Sequence, residues 1–285
     1  MYKLTDIKVI KDLCSRHGFT FSKTLGQNFL TDEDTLIFMA QLAARRADCA
    51  LEIGPGFGTL TCAIGQTMKK VVSLEVDESL KPALAETVAG FPNVDILWRD
   101  IMKTDVSALI KERFGDERVC VCANLPYYIT TPIITHLLEN CGAFSSVIVM
   151  VQKEVAQRLC AKPGSKECGA LTYFTSYHAD CSIARIVEAE KFFPRPKVDS
   201  AVVVLDMLLK PRVHVSNEDF FFKVIRTSFS QRRKTLRNTL LNAKIAPREV
   251  IDGAIRYIDV REDVRGERLS LEEFARLSDY LERNI

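Results

Sequence analysis

The chain has 285 residues, of which 47% are hydrophobic and 27% are charged, and its formal net charge is +2. This balance is typical of a globular protein with a sizeable core. The longest apolar run, near residues 147–151, is far too short to span a bilayer, and the amino terminus lacks a hydrophobic signal core. We therefore expect a cytoplasmic protein that is not embedded in a membrane.

The nine cysteines are an odd number and include no CxxC pair. Cys120 and Cys122 are the nearest two, in an apolar run where strand alternation puts both on one face. No further His or Cys lies at ligand spacing around them. We therefore expect buried reduced thiols, no metal site and a reducing compartment.

Short apolar runs alternate with amphipathic stretches between residue 31 and about residue 187. Runs of strand length occupy residues 48–53, 71–75, 94–98, 119–123 and 146–151. Helical spacing occupies residues 59–68, 80–89, 106–114 and 132–140. A helix at 171–177 and strands at 182–188 and 201–208 complete the series. The alternation predicts an α/β, Rossmann-like domain with a mostly parallel, doubly wound sheet.

The pattern changes after Lys210 and Pro211, where strand candidates end. Helical spacing recurs at residues 218–229, 233–243, 247–254 and 271–283. Pro247 suits a first helical turn, and Ser270 suits an N-cap. We therefore predict two domains, a catalytic α/β domain at 1–209 and a smaller all-helical domain at 210–285.

A basic block lies at the start of the second predicted domain. Ten basic residues and two acidic ones fall between Lys210 and Arg248, so this segment carries +8 and the rest of the chain −6. Such a block is either a solvated helix face or an electrostatic footprint for nucleic acid. Composition alone leaves the two open.

The first strand opens into a glycine-rich turn that includes Gly54, Gly56 and Gly58. Glycines allow a tight turn and a close approach of the backbone to a ligand. The third glycine follows the second too closely for the dinucleotide fingerprint. A GxGxG turn after an acidic residue suits the aminocarboxypropyl tail of S-adenosylmethionine, so we assign Gly54 and Gly56 to cofactor binding. A purely structural turn is the alternative.

Acidic residues close the next two strands. Glu75 ends the second strand, where a carboxylate accepts hydrogen bonds from ribose hydroxyls. Asp100 closes the third, where its carboxylate would accept from the adenine amine of the cofactor. Strand-end acids also serve as helix caps, and we assign that role to Asp77. Three consecutive strands that end in suitable groups favour an S-adenosylmethionine site.

The fourth strand ends in Asn124, Leu125, Pro126 and Tyr127, a set that suits methylation of an adenine amine. This amine is a poor nucleophile because its lone pair is delocalised into the ring. The Asn124 side chain and the Leu125 backbone each offer a carbonyl that accepts an amine N–H and aims the lone pair at the methylsulfonium. Pro126 fixes φ, and Tyr127 would stack on a flipped base. An ordinary strand-end turn is the alternative, and we assign Tyr128 to packing.

Four motifs together resemble the rRNA adenine dimethyltransferase family, and most closely its small-subunit branch. They run in register over nearly the whole chain: LGQNFL at 25–30, EIGPG at 52–56, NLPY at 124–127 and FFPRPKVDS at 192–200. Many members have Asn where this chain has Tyr128.

The resemblance implies further roles. Asn28 and Leu30 would contact the methionine end of the cofactor, Gln27 would lie close by, and Asn124 would contact both the cofactor and the target amine. Phe192 would help to wall the target-base pocket. The implied substrate is a pair of adjacent adenines, each dimethylated at N6, in a hairpin near the 3′ end of small-subunit rRNA within an assembling small ribosomal subunit.

The resemblance also favours RNA binding for the basic block. The implied phosphate contacts are Arg232, Arg233, Lys234 and Arg237, over two helical turns in which Arg233 and Arg237 share a face. We expect a monomer.

Three alternatives use related chemistry or the same fold. A macrolide-resistance enzyme would methylate large-subunit RNA, but Leu125 and the 192–200 loop favour the small-subunit branch. A DNA adenine methyltransferase would usually carry Pro-Pro-Tyr in this motif and a larger recognition domain. A noncatalytic assembly or transcription factor would keep only the fold, whereas intact Glu75, Asp100 and Asn124 favour activity.

Overall fold

The structure is a computed structural model that describes residues 2–19, 28–165, 167–231 and 233–285. It divides into two compact units. The first comprises Met1–Ala156 and Cys181–Met207, and the second comprises Gln157–Asp180 and Leu208–Ile285.

The strands and helices alternate along most of the first unit. The strands are β1 Phe29–Leu30, β2 Cys49–Ile53, β3 Lys70–Glu75, β4 Val94–Trp98, β5 Val119–Asn124, β6 Ser146–Gln152, β7 Ala179–Val187, β8 Phe192–Phe193 and β9 Ser200–Met207. The α-helices up to β7 are α1 Ile7–His17, α2 Glu33–Ala44, α3 Thr59–Gly65, α4 Lys81–Thr87, α5 Val106–Phe114, α6 Thr130–Glu139, α7 Lys153–Leu159 and α8 Ala170–His178. The α-helices after β9 are α9 Glu218–Ser228, α10 Leu236–Asn242, α11 Arg248–Tyr257 and α12 Leu271–Arg283.

The main sheet has the strand order β4-β3-β2-β5-β6-β9-β7. The five strands from β4 to β6 in this order pair in parallel, and β9 pairs antiparallel with β6. The predicted doubly wound, mostly parallel sheet is therefore confirmed. Because the carboxyl ends of the parallel strands meet at one edge, Ile53, Glu75 and Asn124 all end strands on the same edge of the sheet.

The central strands β2, β3, β5 and β6 are buried on both sides, which explains their continuous apolar runs. On one face, α2 and α3 contribute Met39 and Ile64, which are completely buried, to a cluster that includes Cys120 and Cys122 of β5. Burial raises the pKa of the Cys120 thiol to about 12, so it stays protonated at neutral pH.

A smaller cluster joins α1 to the glycine-rich turn. Ile10 and Leu13 of α1 pack with Phe19, Phe29 and Phe57. A two-stranded antiparallel sheet of β1 and β8 places Leu30 opposite Phe192 and Phe29 opposite Phe193. The amino-terminal segment thereby reaches the edge of the sheet where the strands end.

The second unit contains a segment that the predicted boundary at residue 209 assigned to the catalytic domain. The aromatic side chains of α8 explain the difference. Phe174 stacks on Phe222 with ring centroids 3.9 Å apart, and Tyr173 meets Phe274 edge-on at 4.9 Å. The Tyr173 hydroxyl also donates to the Leu269 carbonyl at 2.6 Å. Residues 157–180 are therefore part of the helical unit.

Two helix starts in the second unit differ in detail from the predicted ones. Ser270 caps α12 in the predicted way, and Glu273 completes a capping box with it. Pro247 stands at the N-cap of α11 rather than within its first turn. The predicted helix at 233–243 begins only at Leu236, because the Thr235 side chain accepts from the Asn238 N–H and caps the helix there.

Within the described part of the chain, no helix is both long and apolar enough to cross a membrane. The same residues include no group of three or more His, Cys, Asp or Glu side chains that could hold a metal ion.

Candidate active site

A cavity opens at the edge where the parallel strands end. Ligands in open α/β sheets bind at this edge. The lining includes most of the residues that the sequence assigned to cofactor and substrate: Asn28, Leu30, Gly54, Gly56, Glu75, Asn124, Leu125, Pro126 and Tyr127. Gln27 lies outside the described residues.

The glycine-rich turn approaches a neighbouring aromatic ring. Gly56 has φ +60°, and a Cβ at this position would lie 2.7 Å from the Phe29 ring. Gly54 has φ +70° and faces Pro126 of the catalytic loop. Because a side chain at residue 56 would both strain the backbone and collide with Phe29, this turn requires glycine.

Glu75 ties the end of β3 to the glycine-rich turn. Its Oε2 accepts from the Gly56 N–H at 3.2 Å, and its Oε1 accepts from the N–H groups of Val76 and Asp77 at 2.8 and 2.9 Å. Burial raises the pKa of Glu75, and these three hydrogen bonds oppose that shift. The carboxylate therefore stands at the cavity with its orientation fixed by the backbone.

Asp77 and Asp100 both cap short helical turns. The Asp77 side chain accepts from the Ser79 N–H, as predicted. The Asp100 Oδ1 accepts from the Met102 N–H at 2.9 Å, and its Oδ2 lies 3.9 Å from the Lys103 ammonium. Among the described residues Asp100 does not line the cavity, although it follows β4 beside the site. Its role toward the cofactor adenine therefore stays a prediction.

Glu52 is a buried carboxyl group beneath the glycine-rich turn to which the sequence analysis gave no separate role. Its Oε2 accepts from the hydroxyls of Thr61 at 2.7 Å and Ser73 at 2.6 Å. Burial raises its pKa to about 7 even though both hydroxyls oppose the shift. The sequence does contain one sign of this role: Glu52 is an acidic residue within an apolar strand, and a buried carboxyl group needs hydrogen-bond partners.

The catalytic loop is held by neighbouring elements. The Asn124 Nδ2 donates to the Asn28 carbonyl at 3.2 Å, so the donor side of the amide is used and its acceptor oxygen is the side left for a substrate amine. The Leu125 N–H donates to the Met150 carbonyl at 3.1 Å. The Pro126 carbonyl accepts from the Thr130 hydroxyl at 2.8 Å. The loop is therefore rigid at each of its first three residues.

Tyr127 connects the catalytic loop to the proline-rich motif. Its hydroxyl hydrogen bonds with that of Ser200, the last residue of the motif at 192–200. Burial raises the pKa of Tyr127, and the Ser200 hydroxyl partly offsets this. Tyr128 also borders the cavity but is 54% exposed, which contradicts the packing role that we predicted for it.

Phe192 does not wall the cavity among the described residues. It is 3% exposed and packs in the core cluster with residues of α2 and α3. Leu30, its partner across the β1–β8 pair, belongs to the same core cluster. The predicted place of Phe192 in the wall of the pocket is therefore corrected to a place in the hydrophobic core.

The basic block does not form two turns of one helix. Arg233 and Lys234 are exposed and precede α10, whereas Arg237 lies within it, so the predicted shared face of Arg233 and Arg237 is wrong. Arg237 is also paired with Asp252, with Nε 2.6 Å from Oδ1 and a terminal nitrogen 2.8 Å from Oδ2. Arg232 lies outside the described residues.

Comparison with known proteins assigns the family. The model of the ribosomal RNA adenine dimethylase family matches residues 18–283. The chain belongs to this family. The dimethylase is 43% identical over 280 residues to ribosomal RNA small subunit methyltransferase A of Bacillus pumilus, which covers 96% of each chain. It is 45% identical over 278 residues to the protein of the same name from Anoxybacillus flavithermus, which covers 95% of this chain and 94% of the relative.

Solved structures support the same fold. The 23S rRNA methyltransferase ErmE matches with a TM-score of 0.66 and 25% identity, over 89% of this chain and 99% of ErmE. A dimethyladenosine transferase from Plasmodium falciparum matches with a TM-score of 0.69 and 24% identity, over 87% and 95% of the two chains, which shows the fold. The predicted methyltransferase fold and the enzyme class, an rRNA adenine dimethyltransferase, are confirmed.

Proposed function

We propose that the dimethylase transfers methyl groups from S-adenosylmethionine to the N6 amines of two adjacent adenines. These adenines lie in a hairpin near the 3′ end of small-subunit rRNA, within an assembling small ribosomal subunit. The 43–45% identity to small-subunit methyltransferases supports this substrate over the large-subunit RNA of ErmE, which is only 25% identical. The position of Asn124 is the main support for methyl transfer to an amine. Asn124 lines a cavity bounded by the glycine-rich turn, and its Nδ2 is already hydrogen bonded to the Asn28 carbonyl.

The cavity lining fits S-adenosylmethionine. The backbone of the glycine-rich turn lines the cavity at Gly54 and Gly56, so a ligand can lie against it. Glu75 offers a carboxylate to the ribose hydroxyls, and we propose Asn28, Leu30 and Gly54 for the methionine end. Gln27 and Asp100 complete the proposed cofactor contacts.

Two hydrogen-bond acceptors of the catalytic loop, on Asn124 and Leu125, are in position before the substrate binds. S-adenosylmethionine supplies an electrophilic methyl group on its sulfonium. In the first transfer, the Asn124 side-chain oxygen and the Leu125 carbonyl each accept one N–H of the target amine, which reduces the delocalisation of its lone pair into the ring and directs the lone pair at the donor. The monomethylated amine keeps one N–H, so one of the two acceptors holds it in the second transfer. Each transfer releases one amine proton to water. These acceptors stabilise the transition state because their positions are already held by Asn28 and Met150. Tyr127, anchored through Ser200, presents its ring to the flipped base.

We propose that the helical unit binds RNA. Exposed Arg233 and Lys234 are suited to phosphate contacts that position the RNA without reading its sequence. Arg232 is proposed with them, and Arg237 would contribute less because Asp252 already neutralises it. We further propose that the protein acts as a monomer in the cytoplasm.

The test is methyl transfer from labelled S-adenosylmethionine to unmethylated small subunits and, in parallel, to large subunits. We expect label in small-subunit RNA and none above background in large-subunit RNA. Preferential labelling of large subunits would instead support a macrolide-resistance activity. Cofactor binding without transfer to either subunit would support a noncatalytic assembly factor.

A further inference from the structure

Tyr127 and Tyr128 both border the cavity, and their side chains have different neighbours. Tyr127 hydrogen bonds with Ser200, the first residue of β9. In the strand order, β9 lies two positions from β5 on one side, and β3 lies two positions from β5 on the other. The Tyr127 side chain therefore extends toward β9 and away from Glu75, the carboxylate proposed for the cofactor ribose.

Tyr128 lines the cavity together with Glu75 and Val76, which lie at the end of β3. Partial burial raises the pKa of its phenol, and the carboxylates of Asp100 and Glu75 raise it further. This influence agrees with the geometry, because Tyr128 lines the cavity beside Glu75. These carboxylates are the two that we propose for the adenosine half of the cofactor.

Tyr128 is exposed although it belongs to the cavity lining. Its side chain is 54% exposed, and Val76, which follows Glu75 and also lines the cavity, is 58% exposed. Neither side chain adds much to the core in this state. Large apolar side chains exposed at the rim of a cavity are unfavourable in water, and a ligand that covers them removes that cost.

We propose that the ring of Tyr128 covers the adenosine half of S-adenosylmethionine, while the neighbouring Tyr127 serves the target adenine. The loop after β5 thereby supplies one aromatic ring to the cofactor and one to the substrate. This inference rests on the proposed function, since it assigns a further contact within the same cofactor site.

The test compares variants by calorimetric binding of two probes, S-adenosylhomocysteine and methylthioadenosine, the second of which lacks the amino-acid end. Tyr128→Ala should raise the Kd of both probes by the same factor, about 5-fold to 100-fold, the range for removal of one aromatic ring that stacks on a base. Tyr128→Phe keeps the ring and should bind close to wild type. Tyr257→Ala is the matched control, since Tyr257 is 55% exposed in the helical unit and should leave both affinities unchanged.

The outcomes separate this inference from the proposed function. If wild type binds neither probe, the cofactor assignment fails and this inference fails with it. If wild type binds both and Tyr128→Ala binds equally well, only the role of Tyr128 is overturned. A loss for S-adenosylhomocysteine alone would move Tyr128 to the amino-acid end, and a loss of RNA affinity alone would make it a substrate contact; both overturn the inference.

Discussion

Asn124 is the residue whose loss should separate chemistry from binding. Its acceptor oxygen acts on the amine mainly as the transition state forms, whereas its Nδ2 is occupied by Asn28. We predict that Asn124→Ala lowers the single-turnover rate of methyl transfer by on the order of 100-fold, as for loss of one preorganised hydrogen bond at a reacting group. RNA affinity, measured on the same variant, should stay near wild type. A near-normal rate at saturating RNA and cofactor would remove the catalytic role of Asn124.

Glu75 should control cofactor affinity. Glu75→Ala removes the proposed acceptor for the ribose and also frees the Gly56 N–H. Removing a hydrogen bond to a charged acceptor costs about 1.5–3 kcal/mol at most, so we predict weaker S-adenosylmethionine binding by calorimetry. Glu78→Ala, an exposed acid three residues later, is the matched control. Unchanged affinity in a folded Glu75→Ala variant would contradict the assignment.

The residue types at the strand ends were sufficient to predict that Glu75 and Asn124 lie at one edge of the sheet, because parallel strands bring such positions together. Phe192 could not be placed in this way. Its strand is only two residues long, and the face of each residue depends on pairing with β1, about 160 positions earlier. The packing role predicted for Tyr128 was wrong because the exposure of a loop residue depends on where the neighbouring strands end, which the sequence around it does not show.

At the scale of elements, Glu52 joins β2 to α3 and β3 through Thr61 and Ser73. Burial raises its pKa from 4.5 to about 7, so the folded protein binds this proton more tightly than the unfolded chain does. The contribution of Glu52 to stability is then complete below about pH 4.5 and is lost as the pH rises through about 7, by roughly 3 kcal/mol in all.

Glu52→Gln tests this pH dependence, because its amide oxygen still accepts from both hydroxyls but the side chain does not ionise in this range. We predict that the free energy of unfolding of the variant, measured with urea, rises relative to wild type between about pH 5 and about pH 8. A difference between the two proteins that stays constant over this range would show that Glu52 does not titrate with a raised pKa.

The elements of the sheet were predictable because long apolar runs at regular spacing leave few alternatives. The helix α2 was missed, although its buried residues Leu36, Met39, Ala40 and Ala43 follow helical spacing and Asp32 caps it. The membership of α8 in the helical unit could not be predicted, since it depends on contacts such as Phe174 with Phe222 across nearly 50 positions. The spacing of apolar residues within α8 does not indicate which distant residues it packs against.

For the whole molecule, RNA affinity should depend on salt through the basic residues of the helical unit. We predict that replacing Arg233 and Lys234 with Ala makes the negative slope of log K against log salt shallower, by roughly 0.7–0.9 for each phosphate that is no longer neutralised. Arg237→Ala should change the slope less, because Asp252 pairs with Arg237. Asp252→Asn should make the slope steeper, because it frees Arg237 to neutralise a phosphate. The measurement is binding of small subunits at several salt concentrations, with cofactor affinity as the control. Parallel slopes for the Arg233/Lys234 variant and wild type would identify a solvated surface only.

Nucleoside analysis of the RNA product shows directly whether the dimethylase modifies two adjacent adenines of small-subunit RNA. Unmethylated small subunits are incubated with the dimethylase and excess S-adenosylmethionine, and the digested RNA is quantified by mass spectrometry. We predict two N6,N6-dimethyladenosines per small subunit, at adjacent positions near the 3′ end of the RNA, and a strongly reduced yield with Asn124→Ala at equal RNA occupancy. Methylation of another base or of ribose would show that the proposed reaction is wrong, and an undiminished yield from Asn124→Ala would show that Asn124 is not catalytic.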